Sequence, residues 1–281
     1  MSATGGRVVV KLSALVCVQN QEDRLSECLR RLWFCDEVVV VADRCSDGSI
    51  EVARRHGAMV IAGIFPLESQ RRAAGLEAAS GDWILEIAPD ERVHSALAWE
   101  IRATLKMGPE GDWFEIPVAN HLAGERLRGG WSGPLGVESD VRLYRPGAKT
   151  WAARRSDRGE AVGAAAAPLR GELHKDVGSG MGDLLDQLNR LSAAAAEDLA
   201  EGGALPPWSR SVRGGLSAFL RSYVGRRGWR EGGRGLALAA LCGLYPLLAH
   251  VKACEVVQAR AAAQAGTGAR DAGKVVRLGV G

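Results

Sequence analysis

Along the first third of the chain, apolar residues gather in short runs separated by longer mixed stretches. Leu12 to Val18 is apolar except for Ser13 and reads as a first strand. From Glu22 to Phe34, Leu25, Cys28, Leu29 and Leu32 recur at helical spacing with charges between them, which predicts an amphipathic helix. "DEVVVVADRCSDGS" supplies a second strand, Val38 to Ala42, closed by a polar turn. Asp47 stands where a helix from Ile50 to His56 needs an N-cap. "AMVIAG" predicts a third strand, "ESQRRAAGLEAAS" a third helix and "DWILEI" a fourth strand. Strands alternating with short helices predict an α/β fold with a doubly wound, mostly parallel sheet.

The pattern changes between Asp112 and Tyr144. "DWFEIPVA" and "SDVRLYR" read as strands of a mixed sheet, separated by the glycine-rich "LRGGWSGPLG". Ala161 to Ala167 is small and featureless, as expected of a mobile loop. From Met181 the chain turns helical: "MGDLLDQLNRLSAAAAEDLA", then Ser209 to Gly225, then a long apolar stretch to Ala263. The expected organisation is one domain over residues 10–180, a C-terminal helical extension over 181–263, and a disordered tail over 264–281. There is no internal repeat.

Composition narrows the class. A chain of 281 residues suits one large domain, or one domain with a helical appendage. Hydrophobic residues at 47% and charged residues at 25% are those of a folded protein. A net charge of +3 does not by itself imply a nucleic-acid partner, and no aromatic-rich platform or binding motif accompanies the arginines, so none is expected. Six cysteines show neither a C-x-x-C pair nor zinc spacing and lie mostly in apolar segments, which favours a reducing, cytoplasmic setting over a disulfide framework. The N-terminal apolar stretch is interrupted by Lys11 and has no clear cleavage site, so no signal peptide is expected.

Candidate chemistry lies where strands end. The first strand runs into "QNQED" and not into G-x-G-x-x-G, which argues against a dinucleotide-binding Rossmann enzyme. Acids follow the strands instead: Glu22 after the first, Asp43 after the second and Asp90 after the fourth. Each alone would pass for a turn residue or helix cap. Gathered at one sheet edge, they suit a ligand that offers donors, such as a nucleobase or ribose, and a metal that carries phosphates.

"LSALVCVQNQEDRLSECLRRLWFCDEVVVVADRCSDGSIEVARRHGA" resembles the opening of family 2 glycosyltransferases of the GT-A fold, closest to the branch of lipopolysaccharide inner-core glucosyltransferases. Asn20 and Glu22 match the Asn and acids that end the family's first strand. Asp43, Ser46, Asp47 and Gly48 match the second strand's Asp and its turn, and Arg71 and Arg72 match a basic pair before a helix. "GDWILEIAPDERV" falls on the family's D-x-D segment. "VRLYR", "LRGELHKD", "LNRLS" and "KACE" resemble later landmarks, so the likeness runs over roughly residues 12–260.

The resemblance implies transfer of a sugar from a nucleotide-diphosphate donor, most commonly of uridine, to a cell-envelope glycan or lipid-linked acceptor. Asn20, Glu22, Asp43, Asp47, Arg71 and Arg72 would bind the donor, with Asp43 on the base and Arg71 near the diphosphate. Asp90 would bind Mg²⁺ or Mn²⁺, with His174 approaching the metal or diphosphate. Glu138 or Asp140 would take the acceptor hydroxyl's proton in an inverting transfer. Three positions depart from the pattern: Ala88 replaces the first Asp of D-x-D, Ala73 an Asn, and Ser156 with Asp157 a His-acid pair. These departures make a degenerate, donor-binding or scaffolding member the alternative to an enzyme. Seven arginines and one acid (Glu231) between Trp208 and Arg234, followed by the charge-free "GLALAALCGLYPLLAHV", predict peripheral attachment to an anionic membrane, at the inner face of the cytoplasmic membrane. A helix packed on the catalytic domain is the competing expectation for that run.

Overall fold

A computed structural model describes residues 10–130, 136–154, 159–202 and 205–272. The chain forms two compact units. The first comprises the residues up to Arg128 together with Gly136–Leu184, and the second Gly129–Leu135 together with everything from Leu185. Gly129 and Gly130, directly after Arg128, thus belong to the second unit.

The first unit is an α/β sandwich. Strands β1 (Leu12–Val18), β2 (Glu37–Asp43), β3 (Met59–Gly63) and β4 (Trp83–Ile87) alternate with helices α1 (Glu22–Arg30), α2 (Ser49–Arg55) and α3 (Glu68–Ala78). β5 (Glu91–Val93) and α4 (Ser95–Lys106) follow, then β6 (Trp113–Leu122), β7 (Glu125–Arg126), β8 (Ser139–Tyr144), β9 (Lys149–Thr150), β10 (Glu160–Ala161) and β11 (Leu173–Gly178). The main sheet runs β3-β2-β1-β4-β8-β6-β11-β5, with β7 paired to β6. β3, β2, β1 and β4 are mutually parallel; β8 enters antiparallel between β4 and β6, and β11 is parallel to β6.

Both faces of the parallel half are covered, which is why β1 and β4 are apolar almost throughout. Leu12, Ala14, Val16 and Val18 pack with Leu25, Cys28 and Leu29 of α1, Val52 and Ala53 of α2, and Leu97 and Ile101 of α4. Leu15, Val39, Val41 and Ile84 face the other way, toward Leu76 and Ala78 of α3. α1 buries the i, i+3, i+4 set that its spacing predicts and carries Glu22 and Asp23 at its positive end.

Four expectations change. α1 stops at Arg30, and Leu32 and Phe34 are buried in the turn that follows. Gly48, not Asp47, stands at the N-cap of α2; Asp47 accepts the amide of Ser49 at 3.1 Å and that of Glu22 at 3.0 Å. Residues 161–167 are anchored to strands, because their small side chains let the backbone lie close. β10 pairs with β9, and the amide of Ala166 donates to the Trp113 carbonyl at 2.9 Å. The C-terminal helix, finally, continues through Ala272, past the expected start of the tail.

The second unit is helical: α5 (Met181–Glu201), α6 (Trp208–Leu220), a π-helical turn at Arg221–Gly225, a 3-10 turn at Gly228–Glu231, and α7 (Gly232–Ala272), with Pro246 inside α7. Lys252 of α7 donates to the carbonyl and side chain of Asn189 on α5 at 2.8 and 2.6 Å, and Arg260 pairs with Glu197 at 2.6 Å. By length and composition alone, the helical stretch Gly228–Ala262 is long and apolar enough to cross a bilayer; 39% of its most apolar window is buried within the protein.

The backbone of α3 lies directly on the sheet at Gly75, where a Cβ would fall 2.3 Å from Leu15 Cδ1 and 2.8 Å from Val41 Cγ2. Gly75→Val should therefore destabilise the first unit by about 1–3 kcal/mol, read as a lower urea midpoint at unchanged slope.

Candidate functional site

The carboxyl ends of β1, β2 and β4 form one edge. The chain leaves β1 through α1 on one face and reaches β4 through α3 on the other, so a crevice opens beside β1. The loops after β1 and β2 clasp each other there. Asn20, in the left-handed region at φ 49°, accepts the Ser46 amide through Oδ1 at 2.8 Å. Glu22 accepts the Gly48 amide at 2.9 Å while its own amide donates to Asp47. A Cβ on Gly48 would lie 2.6 Å from the Glu22 carboxylate, so any side chain there would oblige that carboxylate to shift. Asn20, Glu22 and Asp47 are brought together, and each commits a side-chain oxygen to a backbone amide.

Asp43 ends β2 with its side chain buried. Oδ1 accepts the Phe65 amide at 2.9 Å and Arg44 Nε at 3.0 Å, and Oδ2 accepts Arg44 Nη2 at 2.8 Å. Burial works against the charged form, but the Arg44 fork and the Phe65 amide outweigh it and hold the carboxyl below its ordinary range. Arg44 reaches back over Asp43 by adopting φ 49°.

The basic pair on α3 divides. Arg71 pairs with Glu68 at 2.5 Å and, among the described residues, its buried Nε has no hydrogen-bond partner. Arg72, expected with Arg71 to bind the donor, turns inward: Nε donates to Glu86 at 2.8 Å, and the guanidinium also pairs with Glu68. Glu86 draws it there. This glutamate sits in mid-β4 at 4% exposure, where an unpaired charge would be prohibitive. It also accepts Lys149 Nζ at 2.9 Å and the Tyr144 hydroxyl at 3.3 Å, with Arg142 at 3.8 Å. Burial would raise its pKa, but Arg72, Lys149 and Arg142 hold it down at about 2.

The ion pairs continue from there to the sheet edge. Arg142 Nη2 donates to the fully buried Glu91 at 2.6 Å, and Arg142 Nε lies 3.4 Å from Asp140. Lys175 Nζ lies 3.4 Å from Glu91 and 3.3 Å from Asp90. Burial works against the Lys175 ammonium, yet Asp90 and Glu91 outweigh it and raise its pKa. Glu91 also orders the turn beside it: Oε2 accepts the Ala88 amide at 2.9 Å, and the Glu91 amide donates to the Ala88 carbonyl at 2.9 Å. Ala88 is therefore the first residue of the turn that presents Asp90.

His174 goes elsewhere. Its ring packs against His94 at 4.1 Å and His121 at 5.1 Å between centroids. Burial, followed by the His94 and His121 rings, lowers its pKa. His174 and Lys175 are successive on β11 and point to opposite faces, and it is Lys175 that meets Asp90, so the structure does not join His174 to Asp90. Glu138 is exposed just before β8, while Asp140 is half-buried on β8 beside Arg142. Ala73 is exposed on α3; Ser156 and Asp157 lie outside the described residues.

A divalent cation wants several oxygen ligands. Among the described residues no three His, Cys, Asp or Glu side chains converge to hold one. Asp90 offers a single carboxylate. One carboxylate together with substrate phosphates is a set that Mg²⁺ accepts, so the residues fit a cation arriving with a nucleotide and do not fit one held by the protein alone. The sequence reading missed Glu86, Arg142, Lys149 and Lys175. Its one available signal was the charge inside "WILEI", an ionisable residue in an otherwise apolar strand.

No family model matches the chain. It is similar to several solved structures at low identity. One is glucosyl-3-phosphoglycerate synthase from Mycobacterium tuberculosis, in complex with Mn²⁺, uridine-diphosphate and glucosyl-3-phosphoglycerate: 18% identity, TM-score 0.34, covering 41% of this chain and 45% of that one. Another is mannosyl-3-phosphoglycerate synthase from Rubrobacter xylanophilus: 21% identity, TM-score 0.36, covering 45% of this chain and 44% of that one. The mannosyltransferase PcManGT from Pyrobaculum calidifontis, in complex with GDP-Man and Mn²⁺, aligns over 94% of this chain and 80% of that one at 15% identity and TM-score 0.46. The chain matches less than half the length of the first two.

The charge network carries its own pH signature. The Glu86 carboxyl goes from an ordinary value of 4.5 to about 2 on folding, so its stabilisation is complete above about pH 4.5 and is lost as pH falls toward 2. Glu37, held at about 2 by Ser13, Ser80 and Lys11 against its own desolvation, titrates in the same window. Glu86→Gln should cost about 3–5 kcal/mol at neutral pH, because Arg72 and Lys149 lose their common partner. It should also flatten the loss of stability between pH 4.5 and 2 without abolishing it, as followed by urea melts across that range.

Proposed function

We propose that the protein is a glycosyltransferase that moves a sugar from a nucleotide-diphosphate donor onto a cell-envelope glycan or lipid-linked acceptor, with inversion and with a divalent metal. The observation that carries this reading is the gathering of Asn20, Glu22, Asp43, Asp47 and Asp90 at one sheet edge beside a topological switch, with Arg71 next to them. A buried, ionised Asp43 suits the N–H donor of a pyrimidine base, which favours a uridine nucleotide once Arg44 swings aside. The Nε of Arg71, which has no hydrogen-bond partner among the described residues, suits a phosphate oxygen. Asp90 is the residue that would hold Mg²⁺ or Mn²⁺ against the diphosphate, where the cation would offset charge developing on the leaving group. Glu138, exposed just before β8, or Asp140, half-buried on β8, would be the base that takes the acceptor proton. The setting that fits such a donor is the cytoplasm, at the inner face of the membrane.

A second reading has a specific observation behind it. Lys175 already occupies the Asp90 carboxylate, Arg72 is committed to Glu86, and Ala88 brings no acid to the turn. A donor-binding member without transfer activity, assisting another transferase, would look the same.

Calorimetry with UDP, with and without Mn²⁺, tests the donor site. Asp43→Ala should weaken binding whether or not metal is present, and Asp90→Ala should remove the metal dependence. Lys175→Met frees Asp90 of its competitor and should lower the Mn²⁺ requirement by about tenfold, the equivalent of ~1.4 kcal/mol. If neither aspartate variant changes UDP affinity, the strand-end acids serve only the loops and the transferase reading fails.

Ala88→Asp separates the two readings. Ala88 is half-buried where β4 emerges, so a carboxylate there can reach water or a metal-bound water. In an enzyme the substitution should raise donor turnover by ~10-fold, since 1.36 kcal/mol off the barrier gives that factor. In a non-catalytic member it should tighten UDP–Mn²⁺ binding and leave turnover at zero.

A further inference from the structure

Helix α6 of the second unit turns its large apolar side chains outward and its small ones inward. The residues it buries are Ser211 and Gly215. Ser211 Oγ shares a hydrogen bond with His250 Nδ1 of α7 at 3.0 Å, and a Cβ on Gly215 would come within 2.6 Å of the Gly243 carbonyl oxygen. Facing out are Val212, Leu216, Leu220 and, in the π-helical turn, Val224, each between 44% and 60% exposed, in line with Trp208, whose half-exposed ring packs edge-on against His250 at 4.9 Å between centroids. They recur at every fourth position and so form one row along successive turns. Single exposed apolar side chains are ordinary; a continuous row marks an interaction surface.

Charge runs beside the row. Arg213 and Arg221 each follow a member of the row by one position, and Arg210 lies on the first turn; all three are exposed. Between Trp208 and Arg234 the chain has seven arginines against one acid, Glu231. The long apolar run of α7, for which the sequence leaves lipid contact and packing within the protein both open, buries Leu238, Ala239, Leu241, Cys242 and Ala249 and exposes Leu236, Leu244 and Val251.

We propose that the exposed row of α6 docks on an anionic lipid bilayer. The helix would lie in the headgroup plane with Leu216 and Leu220 toward the acyl chains and Arg210, Arg213 and Arg221 among the lipid phosphates. This is the arrangement of an interfacial amphipathic helix, and each arginine near such a surface contributes about fivefold in partitioning. A second copy is a poorer occupant, because a two-fold contact through this row would set the same arginines against each other. The proposal deepens the membrane setting of the proposed function and rests on that reading for its location, whereas its flotation test is independent of nucleotide binding and sugar transfer.

Flotation of the full chain with vesicles of phosphatidylcholine, alone or mixed with phosphatidylglycerol, tests it at low and high salt. Flotation is expected with the mixed vesicles at low salt and should weaken as salt rises. Leu216→Glu with Leu220→Glu should cut the vesicle-bound fraction by about tenfold or more, while helix content and the urea midpoint stay unchanged, since both side chains are exposed. Arg213→Gln with Arg221→Gln should reduce binding at low salt in a protein that still folds. Failure to float with anionic vesicles overturns the proposal, as does flotation untouched by the leucine pair. A dimer in solution that the leucine pair dissociates, without flotation, overturns it in favour of self-association.

Discussion

A carboxylate buried in the middle of a strand must find positive charge within hydrogen-bonding distance, and much of the first unit is arranged around meeting that demand for Glu86. Its partners come from α3, β8 and β9, elements far apart in sequence, so satisfying one side chain fixes how those elements approach β4. Arg142 passes the constraint on to Glu91, and Lys175 passes it to Asp90 at the sheet edge. Glu68, Glu86, Glu91, Asp90 and Asp140 alternate in space with Arg71, Arg72, Arg142, Lys149 and Lys175, so the set has no net charge. Replacing such a network with apolar residues can be neutral in energy, whereas removing one member is not, which makes its parts interdependent. The candidate metal ligand and the buried glutamate are thus two ends of one chain of ion pairs.

The edge loops follow a different logic. Asn20 and Arg44 both take left-handed backbone, a conformation that side chains other than glycine adopt rarely, and both do so where a strand ends. In each case a hydrogen bond rewards it: Asn20 reaches the Ser46 amide, and Arg44 folds over Asp43. Residues whose types suggest nucleotide binding are therefore also the residues that hold the two loops in register. Structural and ligand-binding uses of Asn20, Glu22 and Asp47 are compatible, because a carboxylate or amide oxygen has more than one lone pair to offer.

The parallel half of the sheet was legible in the sequence because its signals are local. β1 to β4 are short apolar runs, and the buried face of α1 is periodic. What lay beyond local signals depended on partners distant along the chain. Arg72 reads as one of a donor-binding basic pair, but Glu86, fourteen positions on, claims it. His174 stood one residue from the side chain that meets Asp90, and strand alternation sent it to the other face. The alanine-rich stretch around Ala165 looked featureless because small side chains carry no pattern, yet smallness is what lets its backbone lie against Trp113. The inversion of α6 was equally silent, since a helical repeat of apolar residues says that they share a face but not which way that face turns.

That inversion has a geometric origin in the Gly215–Gly243 crossing. The distance between two helix axes is set by the side chains at their contact, and 8–10 Å is the usual range. Glycine on both sides draws α6 and α7 toward the short end, and a helix seated that closely has its rotation about its own axis fixed. Turning α6 by half a revolution would hide Leu216 and Leu220 only by forcing the axes apart, with loss of the Ser211–His250 hydrogen bond. Proximity and orientation are therefore a single choice. Two residues without side chains determine which way the leucines look.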